Sequence, residues 1–307
     1  VIELFARSPG MREAVGLAER VSSTDANVLI TGESGVGKDL IASFIHSRSR
    51  RAVQPFVKID CATLPGDLLE AELFGYERGA FSGAIETKAG RFEAAQKGTI
   101  VLDEIAHLST DAQAKLLRVI ERREFERLGG RKTIQLDARL IVLTNVDLGA
   151  AVKLGRFRED LFYRLNVIHI EVPPLRERKK DLSKLIQHFL RHYSAKHARR
   201  VERASQPALA MLQAYDYPGN ARELANIVER AVIVATGKWI EEQDLPAGLS
   251  AAVNAQQQKA KPLSLAQMEA AYISEILAVT KGNKTECARI LGISRKNLYE
   301  KIARYKL

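Results

Sequence analysis

Short apolar runs alternate with amphipathic stretches over the first two thirds of the chain. The runs at 28–31, 56–59, 100–102, 140–143 and 168–172 are short, largely apolar and rich in β-branched residues. They predict strands of a parallel sheet covered on both faces. Helical patterns between them, including 38–47 and 111–122, predict an α/β fold with right-handed crossovers. After Pro173-Pro174 the pattern changes. Leu182, Leu185, Ile186, Phe189 and Leu190 share one helical stripe, Pro207 opens a second helix, and 221–236 forms a third. Residues 247–262 are small and polar and read as a linker. Beyond it, 263–276, 282–291 and 294–302 read as three helices, with Gly292-Ile293 making the last turn. The predicted division is a sheet-bearing subdomain at 1–175, a helical subdomain at 176–246, the linker at 247–262 and a small all-α domain at 263–307.

Composition narrows the class. The 307 residues have room for two or three domains, and 46% are apolar, enough for packed cores. A formal net charge of +10 favours a polyanionic partner, although a solvated basic surface gives the same excess. Cys61 and Cys287 have no Cys or His neighbour at metal-ligand spacing and fit two reduced thiols. No apolar run approaches the ~20 residues of a membrane span, and the opening residues have no signal-peptide pattern. A cytoplasmic protein without a membrane partner is expected. The first residue is Val, so a processed or partial chain lacking an N-terminal regulatory segment is also expected.

The strongest chemical signal is Gly32-Glu33-Ser34-Gly35-Val36-Gly37-Lys38, between a predicted strand and a predicted helix. That context is what a phosphate-binding loop needs. Backbone N–H groups curl around phosphate oxygens, the helix N-terminus adds a positive dipole end, and Lys38 reaches the β- and γ-phosphates of ATP. A tight turn before a helix is the plain alternative. Asp39 stands where Ser or Thr usually supplies a hydroxyl to Mg²⁺, so another group or water must substitute. Thr99-Ile-Val-Leu-Asp103-Glu104 is an apolar strand ending in two carboxylates. Asp103 can hold the Mg²⁺ shell and Glu104 can orient or deprotonate the attacking water. Thr144 and Asn145 end another strand, where open α/β sheets bind ligands.

Glu72-Leu-Phe-Gly-Tyr-Glu-Arg-Gly79-Ala80-Phe81-Ser82-Gly83-Ala84 resembles the signature loop of the sigma-54-dependent transcription activators, a branch of the AAA+ ATPases. The resemblance runs from Ser8-Pro-Gly-Met11 to the C-terminus. It implies that 79–84 is the mobile loop touching sigma-54, with Phe81 as its apolar tip and Ser82 where Thr is usual. Without the family, a buried hairpin would be the better reading of those residues. Gly155-Arg-Phe-Arg158-Glu-Asp-Leu-Phe-Tyr-Arg164 is similar to the arginine-finger segment, with Arg158 and Arg164 as candidates that act on the ATP of a neighbouring subunit. The alternative is pairing with Glu159, Asp160 or other local acids. Tyr217-Pro-Gly-Asn-Ala-Arg222 looks like the sensor segment that brings Arg222 to the nucleotide, with Tyr217 where Trp is usual. Residues 121–136 resemble a second loop that cooperates with the first. Asp60 stands where the family commonly has Asn, a switch residue for the catalytic glutamate. Two neighbouring carboxylates, Asp60 and Glu104, would repel, or one would carry a proton. Altered coupling or a leakier ATPase follows as an expectation.

The last 45 residues resemble the Fis-type helix-turn-helix domain that ends most of these activators, with Cys287 where Ala is usual. Ser294 is a candidate N-cap, and Leu291, Ile293, Leu298 and Ile302 face inward. Arg295, Lys296 and Asn297 begin the helix that would enter the major groove of double-stranded DNA, and Tyr299, Lys301 and Arg304 are candidates for phosphates. Between 264 and 307, eight Lys/Arg face four Asp/Glu, the sign that a DNA surface needs. A dimerisation module without DNA contact is the alternative, and the two roles can coexist. His188 and His192 lie four apart without a third ligand, and His46 and His107 have no triad partners.

The resulting expectation is an AAA+ ATPase, using ATP and Mg²⁺, with a P-loop parallel sheet, a helical lid and a helix-turn-helix domain. It would bind enhancer-like DNA, dimerise through the C-terminal domain and assemble into a ring, by resemblance a hexamer. Its partner would be the sigma-54 RNA polymerase holoenzyme. A remodeller of another client and a DNA-binding regulator with a vestigial ATPase core are the rivals.

Overall fold

The computed structural model describes residues 4–251, 264–280 and 282–305. They divide into two compact units, Val1–Ala247 and Gly248–Leu307.

The first unit is built on five parallel strands: β1 (Val28–Thr31), β2 (Phe56–Asp60), β3 (Thr99–Asp103), β4 (Arg139–Thr144) and β5 (Ile168–Glu171), in the spatial order β2-β3-β4-β1-β5. Strand alternation divides the side chains between two cores, because successive residues point to opposite faces. Leu29, Ile100, Leu102, Leu140 and Val142 pack on one face, against helices that include α3 (Gly66–Phe74) and α4 (Thr110–Arg122). Val28, Ile30, Val101, Ile141 and Leu143 pack on the other, against α1 (Pro9–Ser22) and α2 (Lys38–Ser47). Burial on both faces holds for the inner strands and fails at the edges. In β2 only Ile59 is fully buried, and Phe56 and Lys58 are exposed. In β5 His169 and Glu171 are exposed. An edge strand lacks a neighbour on one side, so its outer side chains stay in water.

The helical part of this unit comprises α5 (Lys179–Lys196), α6 (Gln206–Ala214) and α7 (Asn220–Val234). Leu182, Leu185, Ile186 and Leu190 of α5 are buried, whereas Phe189 on the same stripe is half-buried and lines a cavity at the phosphate loop. Ser205 caps α6 by accepting from the Ala208 amide, with Pro207 in its first turn. Tyr217 is 1% exposed, and its hydroxyl donates to the Leu212 carbonyl at 2.5 Å.

The second unit carries α8 (Leu265–Val279), α9 (Lys284–Ile290) and α10 (Arg295–Tyr305) around Ile273, Cys287, Ala288 and Leu298. Leu291, Ile293 and Ile302 pack against that core, as their spacing predicts. Side-chain caps fix all three starts: Ser264 with Gln267, Asn283 to the amides of Thr285 and Glu286, and Ser294 to the Asn297 amide. Of the predicted linker, residues 247–251 are helical and the remainder lies outside the described residues. Among the described residues no helix is long and apolar enough to cross a membrane.

Candidate functional site

The parallel sheet points its strand ends at one region, and β1 feeds it the loop 32–37. Glycine at 35 is dictated by contact. Its φ is +77°, and a Cβ there would lie 2.4 Å from the Gly219 carbonyl oxygen. Backbone of the helical part thus seats directly on the loop, and the Ala221 amide donates to the Gly35 carbonyl at 3.0 Å. Lys38 opens α2 and curls back, its Nζ donating to the carbonyls of Gly32 at 2.8 Å and Glu33 at 3.2 Å. Burial pushes the Lys38 pKa down, while Glu104, Asp103 and Asp39 pull it up. The ammonium is therefore partly desolvated, held by the loop's own carbonyls within the field of nearby carboxylates.

Asp103 and Glu104 end β3 beside it. Asp103 Oδ1 accepts from the Glu104 amide at 3.0 Å. Glu104 adopts φ +52°, ψ +48°, a left-handed conformation that is uncommon outside glycine and concentrates at functional sites. Its Oε2 accepts from the Asn145 amide at 3.3 Å, which ties the ends of β3 and β4. Thr144 is buried, and its hydroxyl accepts from the Val146 amide at 3.0 Å. The Asn145 side chain is exposed.

Asp60 lies beside Asp103 in the β2–β3 register. Its Oδ1 accepts from the Ala62 amide at 2.9 Å, so its carboxylate is committed to its own turn. Cys61, fully buried next to it, has its thiol pushed up to about 12, first by burial and then by Asp60, Asp103 and Glu104. A thiol held so protonated is unreactive.

Four side chains outside the predicted set complete the region. Lys58 Nζ lies 2.5 Å from Asp39 Oδ1 and 2.8 Å from Asp103 Oδ2. Asn220 (φ +55°) donates to Glu33 Oε2 and the Ser34 carbonyl, both at 3.0 Å, and its Oδ1 accepts from the Leu175 amide. Arg176 forms a bidentate pair with Glu33 at 2.6 and 2.9 Å. Arg178, buried, donates to the Val36 carbonyl at 2.7 Å. Hydrogen bonds from Arg176 and then Asn220 hold the Glu33 carboxyl down at about 2. Arg222 donates to Ser34 Oγ at 3.1 Å. The cavity is an open cleft of about 290 Å³, lined by Ser34, Lys38, Asp103, Glu104, Phe189 and Arg222 among others. Asn220 had a signal in the sequence, since Asn tolerates positive φ after a Pro-Gly turn. Lys58 had only a weak one, a lysine two residues before Asp60 and hence on the same strand face.

Within the first unit, Arg158, Arg164 and the loop 79–84 do not line this cavity. Arg158 is exposed and paired bidentately with Asp160 at 2.7 and 3.0 Å, and Arg164 with Glu121 at 3.2 Å. Within one chain Arg158 therefore holds a neighbouring acid, the alternative that its sequence raised, whereas Arg164 reaches an acid 43 residues away. The loop 79–84 is closed by Gly79 N–H donating to Ala84 O at 2.8 Å and Ala84 N–H to Phe81 O at 3.0 Å. Ala84 is buried. Phe81 is 40% exposed, with its ring 5.0 Å edge-on from Tyr76. Gly79, Ser82 and Gly83 are exposed and Ala80 half-buried. The segment 121–136 docks at its base: the Leu128 amide donates to Gly75 O, and the Glu77 amide to Leu128 O.

On α10, Arg295, Lys296, Asn297, Tyr299 and Arg304 are exposed. Lys301 differs. It pairs with Glu269 of α8 at 2.6 Å, joined by the Tyr305 hydroxyl at 2.5 Å. The Lys284 ammonium sits 4.8 Å over the Tyr299 ring. His46 is buried against the Thr99 hydroxyl at 2.9 Å, a packing role. Among the described residues, no group of three or more His, Cys, Asp or Glu is arranged to hold a metal ion.

Comparison with known proteins agrees with this layout. Residues 4–171 match the Sigma-54 interaction domain, 176–262 the AAA+ ATPase lid domain, and 264–305 the Fis family of bacterial regulatory proteins. The chain is 46% identical to the regulatory protein AtoC of Escherichia coli, over 98% of this chain and 67% of that one. It is also 46% identical to the nitrogen fixation protein VnfA of Azotobacter vinelandii, over 99% and 59%. Among solved structures, NtrX from Brucella abortus in complex with ADP superposes with a TM-score of 0.74 at 34% identity, covering 100% of this chain and 70% of that one. Its ATP complex gives 0.73, at 34% identity over 99% and 69%.

Proposed function

The chain belongs to the sigma-54 activator family of AAA+ proteins with a Fis-type DNA-binding domain, and from that premise we propose that it hydrolyses ATP between subunits of a ring to remodel sigma-54 RNA polymerase at a promoter. The observation that carries this reading is the cavity on which Lys38, Asp103, Glu104 and Arg222 converge from three separate elements.

Each residue has a role that follows from its position. Lys38 exchanges the carbonyls of Gly32 and Glu33 for phosphate oxygens, with the amides of 32–37 and the start of α2 around them. Glu104 takes the water that attacks the γ-phosphate, its carboxylate steadied by the Asn145 amide. Asp39 and Asp103 already share a cation, the Lys58 ammonium, so this donor set suits a hard ion such as Mg²⁺. Mg²⁺ bound with ATP supplies charge neutralisation at the phosphate oxygens. Arg222 and Asn220 belong to the helical part and touch the loop at Ser34 and Glu33, so they relay the state of the loop to that part. Arg158 and Arg164, exposed on one chain, complete the site of a neighbouring copy in a ring, by resemblance a hexamer. The loop with Phe81 at its tip meets sigma-54. Arg295, Lys296 and Asn297 read base edges in the major groove, and Tyr299 and Arg304 hold phosphates. Lys301 is better assigned to fixing α10 on α8, given its Glu269 partner. The protein acts in the bacterial cytoplasm as a dimeric DNA binder that assembles into the ring.

The test is reconstituted transcription with sigma-54 polymerase on a supercoiled template, run beside an ATPase assay over a range of protein concentrations. Turnover per subunit rising with concentration, and open-complex formation requiring hydrolysable ATP, support the reading. Activation that persists in Lys38→Ala would overturn it.

A further inference from the structure

Lys58 has no place in the roles above, yet its ammonium is the closest cation to both acids suited to a divalent ion. It sits on the edge strand β2, one strand away from Asp103 and across from α2, which carries Asp39. The distances are 2.8 Å to Asp103 Oδ2 and 2.5 Å to Asp39 Oδ1. Asp39, Asp103 and Glu104 line the phosphate cavity with Lys38 and Arg222, and Lys58 reaches Asp39 and Asp103 from β2. Lys38 is turned onto the carbonyls of its own loop, and Arg222 onto Ser34. Lys58 alone bridges two of the acids directly.

We propose that Lys58 is an internal counterion that holds the divalent-cation position between Asp39 and Asp103 until a metal–nucleotide complex displaces it. The inference rests on the ATP-binding reading above and concerns how that same site is kept charge-balanced. Two carboxylates facing each other without a cation would attract any free divalent ion and repel the phosphates of a metal-free nucleotide. An ammonium between them prevents both. It can be displaced because it is a compact charge on a flexible four-carbon stem with solvent on one side; the Lys58 side chain is 37% exposed. Asp39, in place of the usual hydroxyl residue, is what makes the bridge possible, since a hydroxyl would not hold an ammonium as a charge partner. Lys58 is thus a positioning residue that couples arrival of the metal to arrival of the nucleotide.

The experiment uses the full chain and Mn²⁺ as the probe, read by electron paramagnetic resonance without nucleotide, together with a fluorescent ATP analogue in EDTA or in Mg²⁺. Lys58→Met should bind Mn²⁺ alone at least ~10-fold more tightly than the unaltered protein, because one opposing charge is gone. Adding Asp39→Asn to that variant should reverse the gain. Lys58→Arg, which keeps the charge, should remain close to the unaltered protein. In EDTA, Lys58→Met should bind the analogue about 10-fold more weakly, and in Mg²⁺ within about threefold of the unaltered protein. Equal Mn²⁺ affinity in Lys58→Met and the unaltered protein overturns the inference, as does a gain that survives Asp39→Asn. Thermal melting of each variant accompanies the titrations. If Lys58→Met fails to fold, Asp39→Asn alone decides: with one carboxylate gone and Lys58 left facing Asp103, metal-free analogue should bind more tightly and the Mg²⁺ dependence of binding should flatten, and an unchanged dependence sinks the proposal. Failure of the unaltered protein to bind the analogue under any condition would instead remove the ATP-binding reading itself.

Discussion

The phosphate-loop region and the arginine segment at 155–164 differ in what their charged side chains meet. Around the loop, charged side chains reach across the fold to distant elements: Glu33 to Arg176 and Asn220, Lys58 to Asp39 and Asp103, Arg222 to Ser34. In the arginine segment, Arg158 turns to Asp160 two residues away and Arg164 to Glu121 on α4, both in water. Exposed pairs in either region contribute little to stability and break readily; what sets the loop apart is that its side chains gather around one cavity. On the proposed function, the contrast separates a half-site that one chain assembles by itself from arginines that would complete the site of another copy.

The sharpest way to break this contrast is to divide the two halves between subunits. Arg158→Ala should lose on the order of 10³–10⁵ in turnover, the range for a missing arginine finger, with nucleotide affinity nearly unchanged. Glu104→Gln should lose ~10²–10⁴, as for a removed general base. Mixing the two inactive variants should restore measurable ATPase activity, since some interfaces then pair an intact Glu104 with an intact Arg158. No recovery over any mixing ratio would place Arg158 outside the neighbour's site.

A smaller effect is expected where the helical part seats on the loop. Gly35→Ala places a methyl 2.4 Å from the Gly219 carbonyl at a φ of +77°. Backbone strain of this kind costs roughly 1–3 kcal/mol. A lowered melting temperature and weakened nucleotide binding should appear together. Normal binding at a normal melting temperature would show that the contact is dispensable.

At Asp60, the proposed switch residue, a still smaller change is expected. The Asp60 carboxylate accepts from the Ala62 amide and makes no hydrogen bond to Glu104. Asp60→Asn substitutes an amide that can donate, so it can reach the Glu104 carboxylate. Basal turnover should fall by a few-fold and respond more strongly to sigma-54. Identical basal and stimulated rates would end the idea that this residue governs coupling.

The smallest effect concerns acid. Glu33 is held at about 2 in the folded protein against an ordinary value of 4.5. A depressed carboxyl pKa adds stability that is fully present above the unfolded value and is lost as pH falls through the folded one. Glu33→Gln should therefore be slightly less stable than the unaltered protein at neutral pH. The difference should vanish between about pH 4.5 and 2. Because the pair is 40% exposed on each side, about 0.2–1 kcal/mol is the scale to seek in urea titrations. A difference that persists below pH 2 would assign the effect to packing.

Local pattern alone determined much of this protein. Five strands, the helix following the phosphate loop and the three C-terminal helices all lie within a residue or a few of their predicted positions, because periodicity, glycine placement and capping residues act over a handful of neighbours. The convergence of Lys38, Asp103 and Glu104 was legible for the same reason: strand ends in a parallel sheet open to one side. Tertiary structure decided what local pattern does not encode. The edge position of β2 left Lys58 exposed and put Asp103 and Asp39 within its reach. The docking of α7 turned Asn220 and Arg222 onto the loop. The packing of α10 against α8 diverted Lys301 from solvent to Glu269. In each case a long polar side chain chose among partners tens to hundreds of residues away, and only the folded arrangement fixes which charge it meets.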